Sequence, residues 1–229
     1  MSGPPRSVLL LAVLGVAGLL AWRSYATLEE PIREVARDYL ALRRVQRHHD
    51  VLRAAGEESG VDPHLLAALM VCESSGRVDA VSKAGALGLF QLSTVTAEWR
   101  AENLGLEKPT REQLLSDALL NARLGADNLA WLLRTFDGDE LRALCAYNAG
   151  ARKLKRLTDA EGGWEAWRAK GEESGRSEIL AYAERVLRMR DDFLRRGLFE
   201  KERERGETST PEIADPSPTN GRDTSEPME

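Results

Sequence analysis

Glu73 is the residue in this sequence best suited to acid–base chemistry. It falls in the last turn of an expected helix whose apolar residues include Leu65, Leu66, Leu69 and Met70. A carboxylate there is partly desolvated and faces the negative end of the helix dipole, and both effects favour its protonated form. A carboxylic acid that keeps its proton at neutral pH is what cleavage of a glycosidic bond asks of a general acid. Other polar residues stand at set distances beyond it. Glu73-Ser74 is followed by Ala80-Val81-Ser82, Ala84-Gly85-Ala86 and Gly88-Leu89-Phe90-Gln91-Leu92. Then come Asn121 with Leu124-Gly125-Ala126, next Ala146-Tyr147-Asn148-Ala149-Gly150, and finally Glu178, Tyr182 and Val186.

The elements that must hold these residues read as helices almost throughout. Ala, Leu, Glu and Arg dominate, β-branched alternation is absent, and Gly and Pro fall between periodic segments. Ile32, Val35, Tyr39 and Leu42 recur at spacings of three and four, giving an amphipathic helix from Glu29 to about Arg44. A second helix is expected from Val45 to Ser59, with Gly60 as its stop. Asp62-Pro63 opens a third, since Asp62 can cap orphan amides and Pro63 suits the first helical position. Gly76, Gly85 and Gly88 mark a long irregular loop. Helices are then expected at Leu89–Asn103, Arg111–Leu115, Asp117–Phe136, Asp139 to about Leu157 and Glu178–Arg196. The fold class is therefore all-α, with no sheet of consequence.

The ends of the chain differ from this helical body. An uninterrupted apolar run, residues 8–22, stands after Arg6 and ends at Arg23. Its fifteen residues are long for a signal-peptide core and short for a membrane-spanning helix. Residues 1–27 therefore form either a cleaved signal or an anchor in the inner membrane, and both deliver the rest of the chain outside the cytoplasm. Residues 28–44 read as an amphipathic helical linker and 45–199 as the catalytic domain. Residues 200–229 carry nine acidic and four basic residues, few large apolar ones and much Pro, Ser and Thr. Such a tail cannot bury enough surface to offset its ordering entropy, and it is expected to be disordered. The net charge of −5 lies wholly in that tail. The remaining chain is balanced, which argues against nucleic acid as a partner. His48, His49 and His64 form no metal-ligand spacing, so no metal or other cofactor is expected. Cys72 and Cys145 each adjoin a motif, either as small buried hydrophobes or as an extracytoplasmic disulfide.

The ordered motifs resemble the lytic transglycosylases of the soluble type (SLT), in the lysozyme-like superfamily. The resemblance covers about Val45 to Arg196. It implies a goose-type, lysozyme-like helical domain acting on peptidoglycan glycan strands in the cell envelope. Residue by residue, Glu73 matches the family's catalytic acid, and Ser82 the serine that bonds that Glu or the substrate beside it. Gln91 matches the glutamine lining the glycan groove, Tyr147 and Asn148 the Ala-Tyr-Asn-Ala-Gly motif beneath the scissile bond. Tyr182 matches the tyrosine whose hydroxyl approaches the catalytic carboxyl. Phe90 stands where the family usually has Met, Ser93-Thr94 replaces Met-Pro, and Ser75-Gly76-Arg77-Val78 replaces Gly-Phe-Asn-Pro.

A count of carboxylates bears on mechanism. No Asp or Glu lies between Ala80 and Ala97, and only Asp79 is near. A glycoside hydrolase normally sets a second carboxylate across the bond. With one carboxylate, the substrate must supply the rest, through its N-acetyl group and its C6 hydroxyl, and the expected product is a 1,6-anhydro sugar. The alternatives are a lysozyme-type hydrolase of the same bond and a non-catalytic peptidoglycan-binding assembly subunit. The former needs a second placed Asp, and the latter has no use for an acid.

Overall fold

The computed structural model describes residues 39–175 and 177–200. The expected signal or anchor at 1–27, most of the 28–44 linker and all of the 200–229 tail but Glu200 lie outside the described residues. No helix among the described residues is long and apolar enough to cross a membrane.

The described chain is helical, and its extended pairing is limited to the isolated antiparallel bridges Val81–Leu87 and Leu87–Leu92. It opens in α1, residues 39–47. Next come α2 His49–Ser59, α3 Pro63–Ser74, α4 Thr94–Asn103, α5 Arg111–Ser116 and α6 Ala118–Thr135. The series closes with α7 Glu140–Ala149, α8 Ala151–Ala160, α9 Trp164–Ser174 and α10 Glu178–Arg195.

Helix α3 is the centre of the fold. Asp62 caps it, accepting from the His64 amide at 2.9 Å, and Pro63 takes the first turn. Every residue from His64 to Val71 is buried, so α3 is apolar all round rather than on the single face that the sequence suggested. Leu65, Leu66 and Leu69 are each at most 1 % exposed. Each contributes about 1.5–3 kcal/mol by leaving water. Helix α10 packs against both α3 and α7, while α2 packs on α3 and α6, and α6 also supports α4, α5 and α7. The acid-bearing end of α3 is thus held by the helix that carries Tyr182 and by the loop beyond its own last turn.

Four boundaries differ from expectation. The first concerns α1, which runs on through residue 47, so that α2 starts at His49 rather than at Val45. The buried apolar positions of α1 are Ala41 and Val45, with Tyr39 58 % exposed. Leu42 also packs on the core, but the inward face does not include Tyr39, and the core begins before residue 45. Second, the helix expected from Leu89 starts only at Thr94. The amides of Phe90 and Leu92 go to Asn121 Oδ1 and Leu87 O, Gln91 has φ 47°, and Ser93 supplies the cap. Third, Gly150, with φ 83° and ψ 133°, divides the helix expected from Asp139 to Leu157 into α7 and α8. Last, α9 had no expected counterpart. Its apolar residues reduce mainly to Trp164 and Trp167, three apart and stacked with ring centroids 5.4 Å apart.

Candidate active site

The carboxyl of Glu73 lies in the last turn of α3, where Ser75 closes the helix in a left-handed conformation, φ 56°. Ser74 turns inward and donates to Met70 O at 3.3 Å, so its role is to shape the backbone. The loop beyond is braced from the turn between α1 and α2: His48 Nε2 donates to Gly76 O at 3.0 Å. From α10, the Tyr182 hydroxyl donates to Glu73 Oε1. Arg185, one turn further along α10, lies close enough for its charge to act on Glu73.

Burial pushes the Glu73 carboxyl up to about 7, against the opposing pull of the Tyr182 hydrogen bond and of Arg185. The acid is therefore protonated over much of the neutral range. No second carboxylate among the described residues acts on it. Burial and the neighbouring Glu73 hold the phenols of both Tyr182 and Tyr147 well above the ordinary tyrosine range, so both remain donors.

The raised carboxyl has a consequence for stability. The folded chain binds this proton more tightly than the unfolded chain, whose carboxyl titrates near 4.5. Glu73 thus carries no penalty below about pH 4.5, a growing one up to about pH 7, and a constant one above. Glu73→Gln should therefore melt higher than the unsubstituted protein at pH 8 and not at pH 4. Equal melting differences at the two pH values would refute the buried, protonated acid.

The other expected residues lie on two supports. Tyr147, near the end of α7, donates its hydroxyl to Phe90 O at 2.9 Å. Its charge environment includes Glu73. Asn148 beside it is exposed. Gln91 is half-buried, and its amide nitrogen donates to Gly88 O at 2.9 Å and Ala80 O at 3.2 Å. Those donors brace the loop, which leaves the amide oxygen for any other partner. Ser82 likewise accepts from its own loop, from the Ala86 amide at 3.0 Å, and its hydroxyl proton is still available to donate. Tyr147 and Tyr182 are thus the expected residues brought to Glu73, while Gln91 and Ser82 order the loop between α3 and α4.

That loop is fixed from α6. Asn121, fully buried, accepts from Phe90 N at 2.9 Å and donates to Leu87 O and Leu114 O, both at 3.1 Å. Gly88 is required here: its φ is +77°, and a Cβ would run into the Asn121 amide and Leu114 O. Gly125 is needed for closeness, since a Cβ would stand 2.5 Å from Phe90 Cβ. Asn121 and Gly125 were legible as motif members, but not as the clamp on this loop.

The cysteines are both free. Each thiol is turned to α10 rather than to the other. Cys145 donates to Ile179 O at 3.7 Å, and the Arg185 guanidinium hydrogen-bonds Cys72. Burial raises both thiols, Cys145 to about 12, so neither is a ready thiolate. Arg185 itself escaped the sequence reading. Its signal was the three-residue spacing from Tyr182, which sets both on one face of α10.

Known proteins resemble this arrangement. Residues 50–169 match the family described as Transglycosylase SLT domain. Peptidoglycan transglycosylase gp16 of Escherichia phage T7 is 36% identical over 107 residues, 45% of this chain and 8% of that protein. Membrane-bound lytic murein transglycosylase C of Edwardsiella ictaluri is 32% identical over 133 residues, 53% of this chain and 36% of the relative. The solved structure of the lytic transglycosylase Slt from Pseudomonas aeruginosa superposes with a TM-score of 0.56 at 26% identity, covering 65% of this chain and 24% of that one. The chain spans well under half the length of each of these three proteins. With more than half of its residues matched by the family, the chain belongs to the SLT-domain transglycosylases.

Proposed function

We propose that this chain cleaves the β-1,4 bond between N-acetylmuramic acid (MurNAc) and N-acetylglucosamine in peptidoglycan without water, leaving 1,6-anhydro-MurNAc ends. The observation that carries this reading is the carboxyl of Glu73, raised by burial to about 7 and bonded by Tyr182, with no second carboxylate among the described residues acting on it. The relatives named as peptidoglycan and murein transglycosylases support it.

That geometry supports the following chemistry. Tyr182 donates to Oε1, so the acidic proton is favoured on Oε2. Glu73 gives this proton to the glycosidic oxygen as the bond to MurNAc C1 breaks, and the leaving sugar departs with a free hydroxyl. The N-acetyl carbonyl oxygen of the same MurNAc closes on C1 and holds the positive charge. Glu73, now ionised and stabilised by Tyr182 and Arg185, takes the proton from the C6 hydroxyl. O6 then displaces the N-acetyl oxygen at C1 and closes the anhydro ring. Glu73 ends protonated, and no water is consumed. The intramolecular attack outcompetes water because effective molarities of about 10⁵ M or more are attainable. Ser82, Gln91 and Asn148 complete the reading as residues along the bound strand, through the atoms their loop contacts leave open.

Since the acid must start protonated, kcat/KM should fall roughly tenfold per pH unit above about pH 7. A flat profile through pH 9 would exclude Glu73 as the acid. Digestion of purified sacculi followed by mass analysis of the released ends tests the reaction itself, each anhydro end being lighter by one water than a hydrolytic one. The apolar run at 8–22 and the membrane-bound relative support delivery to the extracytoplasmic side, by anchor or by cleaved signal. Retention in washed membranes would mark an anchor, and a mature start at Thr27 a cleaved signal.

A further inference from the structure

A cleft of about 460 Å³ opens where α4, α6 and the α7–α8 corner meet, lined in part by Thr96, Trp99, Trp131, Tyr147, Arg152 and Lys153. Tyr147 is common to this cleft and to the candidate active site, since its hydroxyl sits on Phe90 O and its surroundings include Glu73. Two features give the cleft a chemistry. The first is an aromatic floor. Trp99 and Trp131 meet edge to face, with centroids 4.7 Å apart. One face of Trp99 is covered by the guanidinium of Arg100, 3.2 Å from the ring centroid. Arg100 is itself buried and anchored to Asp127 at 3.2 Å. Trp99 is nonetheless 43% exposed. An indole held in place yet partly exposed in a cleft suits the apolar C–H face of a sugar ring.

The second feature is charge. No carboxylate among the described residues lines the cleft, while Arg152 and Lys153 stand exposed at its rim. Neither has an ion-pair or hydrogen-bond partner among the described residues. Side by side at the first turn of α8, they present two cations to whatever occupies the cleft. An occupant with a sugar face and a nearby carboxylate meets both features. We propose that this cleft is a subsite for peptide-bearing sugars, with a ring stacked on Trp99 and a stem-peptide carboxylate paired to Arg152 and Lys153. This assignment rests on the peptidoglycan reading and adds to it the preference for strands that still carry their peptides.

The test compares peptide-bearing strands with strands stripped of peptide by an amidase. The protein should prefer the peptide-bearing form in kcat/KM, and the double variant Arg152→Gln/Lys153→Gln should reduce that preference at least about fivefold. An unchanged preference, including an equal loss on both substrates, would overturn the assignment. Binding gives a readout independent of cleavage. In a Glu73→Gln background, soluble peptide-bearing fragments should quench indole fluorescence, and Trp99→Phe/Trp131→Phe should retain much of the affinity. Trp99→Ala should weaken binding about tenfold, and undiminished binding by that variant would remove the aromatic platform. Fragments bound through Arg152 and Lys153 but never cleaved would refute the proposed reaction and leave the subsite standing. Cleavage with no peptide preference would do the reverse.

Discussion

Glu73→Gln should lower the rate of glycan cleavage by at least about 10², the scale of losing a general acid–base group. The loss should fall on kcat with KM little changed, because the amide fills the same space and its oxygen can still accept from Tyr182. What is lost is a proton donor that later serves as a base. The fold should survive, and above pH 7 it should gain stability, since the substitution removes a carboxyl that burial disfavours in its charged form. Kinetics on purified strands and melting curves of the same preparation check both halves. A variant that keeps its activity would remove the residue on which the proposed reaction depends. A variant that fails to fold would contradict the stability argument.

Asn121→Ala should have the largest effect on stability. The side chain meets one buried amide and two carbonyls, at Phe90, Leu87 and Leu114, and alanine would leave all three without this partner. Leu87 O keeps the Leu92 amide, so two buried groups, Phe90 N and Leu114 O, are left unsatisfied; at about 1–3 kcal/mol each, a loss of about 2–6 kcal/mol is expected. For a domain of this size that corresponds to roughly 5 to 20 °C in melting temperature. Activity should fall even well below the transition, because Phe90 O, the acceptor for Tyr147, belongs to the released loop. Thermal unfolding followed by circular dichroism gives the answer. A shift of only one or two degrees would show the loop to be held by its other contacts.

The two residues differ in how far the sequence reveals them. Glu73 was legible because an isolated acid in an apolar helix is chemically unusual, and the motifs after it kept a family's order. The Asp62-Pro63 start of α3 was legible because capping is local. Asn121 was visible as a letter in a motif, but its clamp joins positions 31 and 34 residues away, and no periodicity encodes such a contact. The late start of α4 has the same origin, because Leu89 and Phe90 fit a helical pattern until a distant side chain takes the Phe90 amide. Gln91 and Ser82 show a further limit. Their types were informative, yet their polar atoms largely serve their own loop. Trp99 and Trp131 lie 32 positions apart, so the aromatic floor they form exists only after folding.

The central claim is that the glycosidic bond is broken without water. The most direct measurement is digestion of purified peptidoglycan in water enriched in heavy oxygen, with mass analysis of each new MurNAc end. Intramolecular closure predicts 1,6-anhydro ends that carry none of the heavy isotope, because O6 comes from the sugar itself. Reducing MurNAc ends carrying one heavy oxygen as the main product would contradict the claim and make the chain a hydrolase.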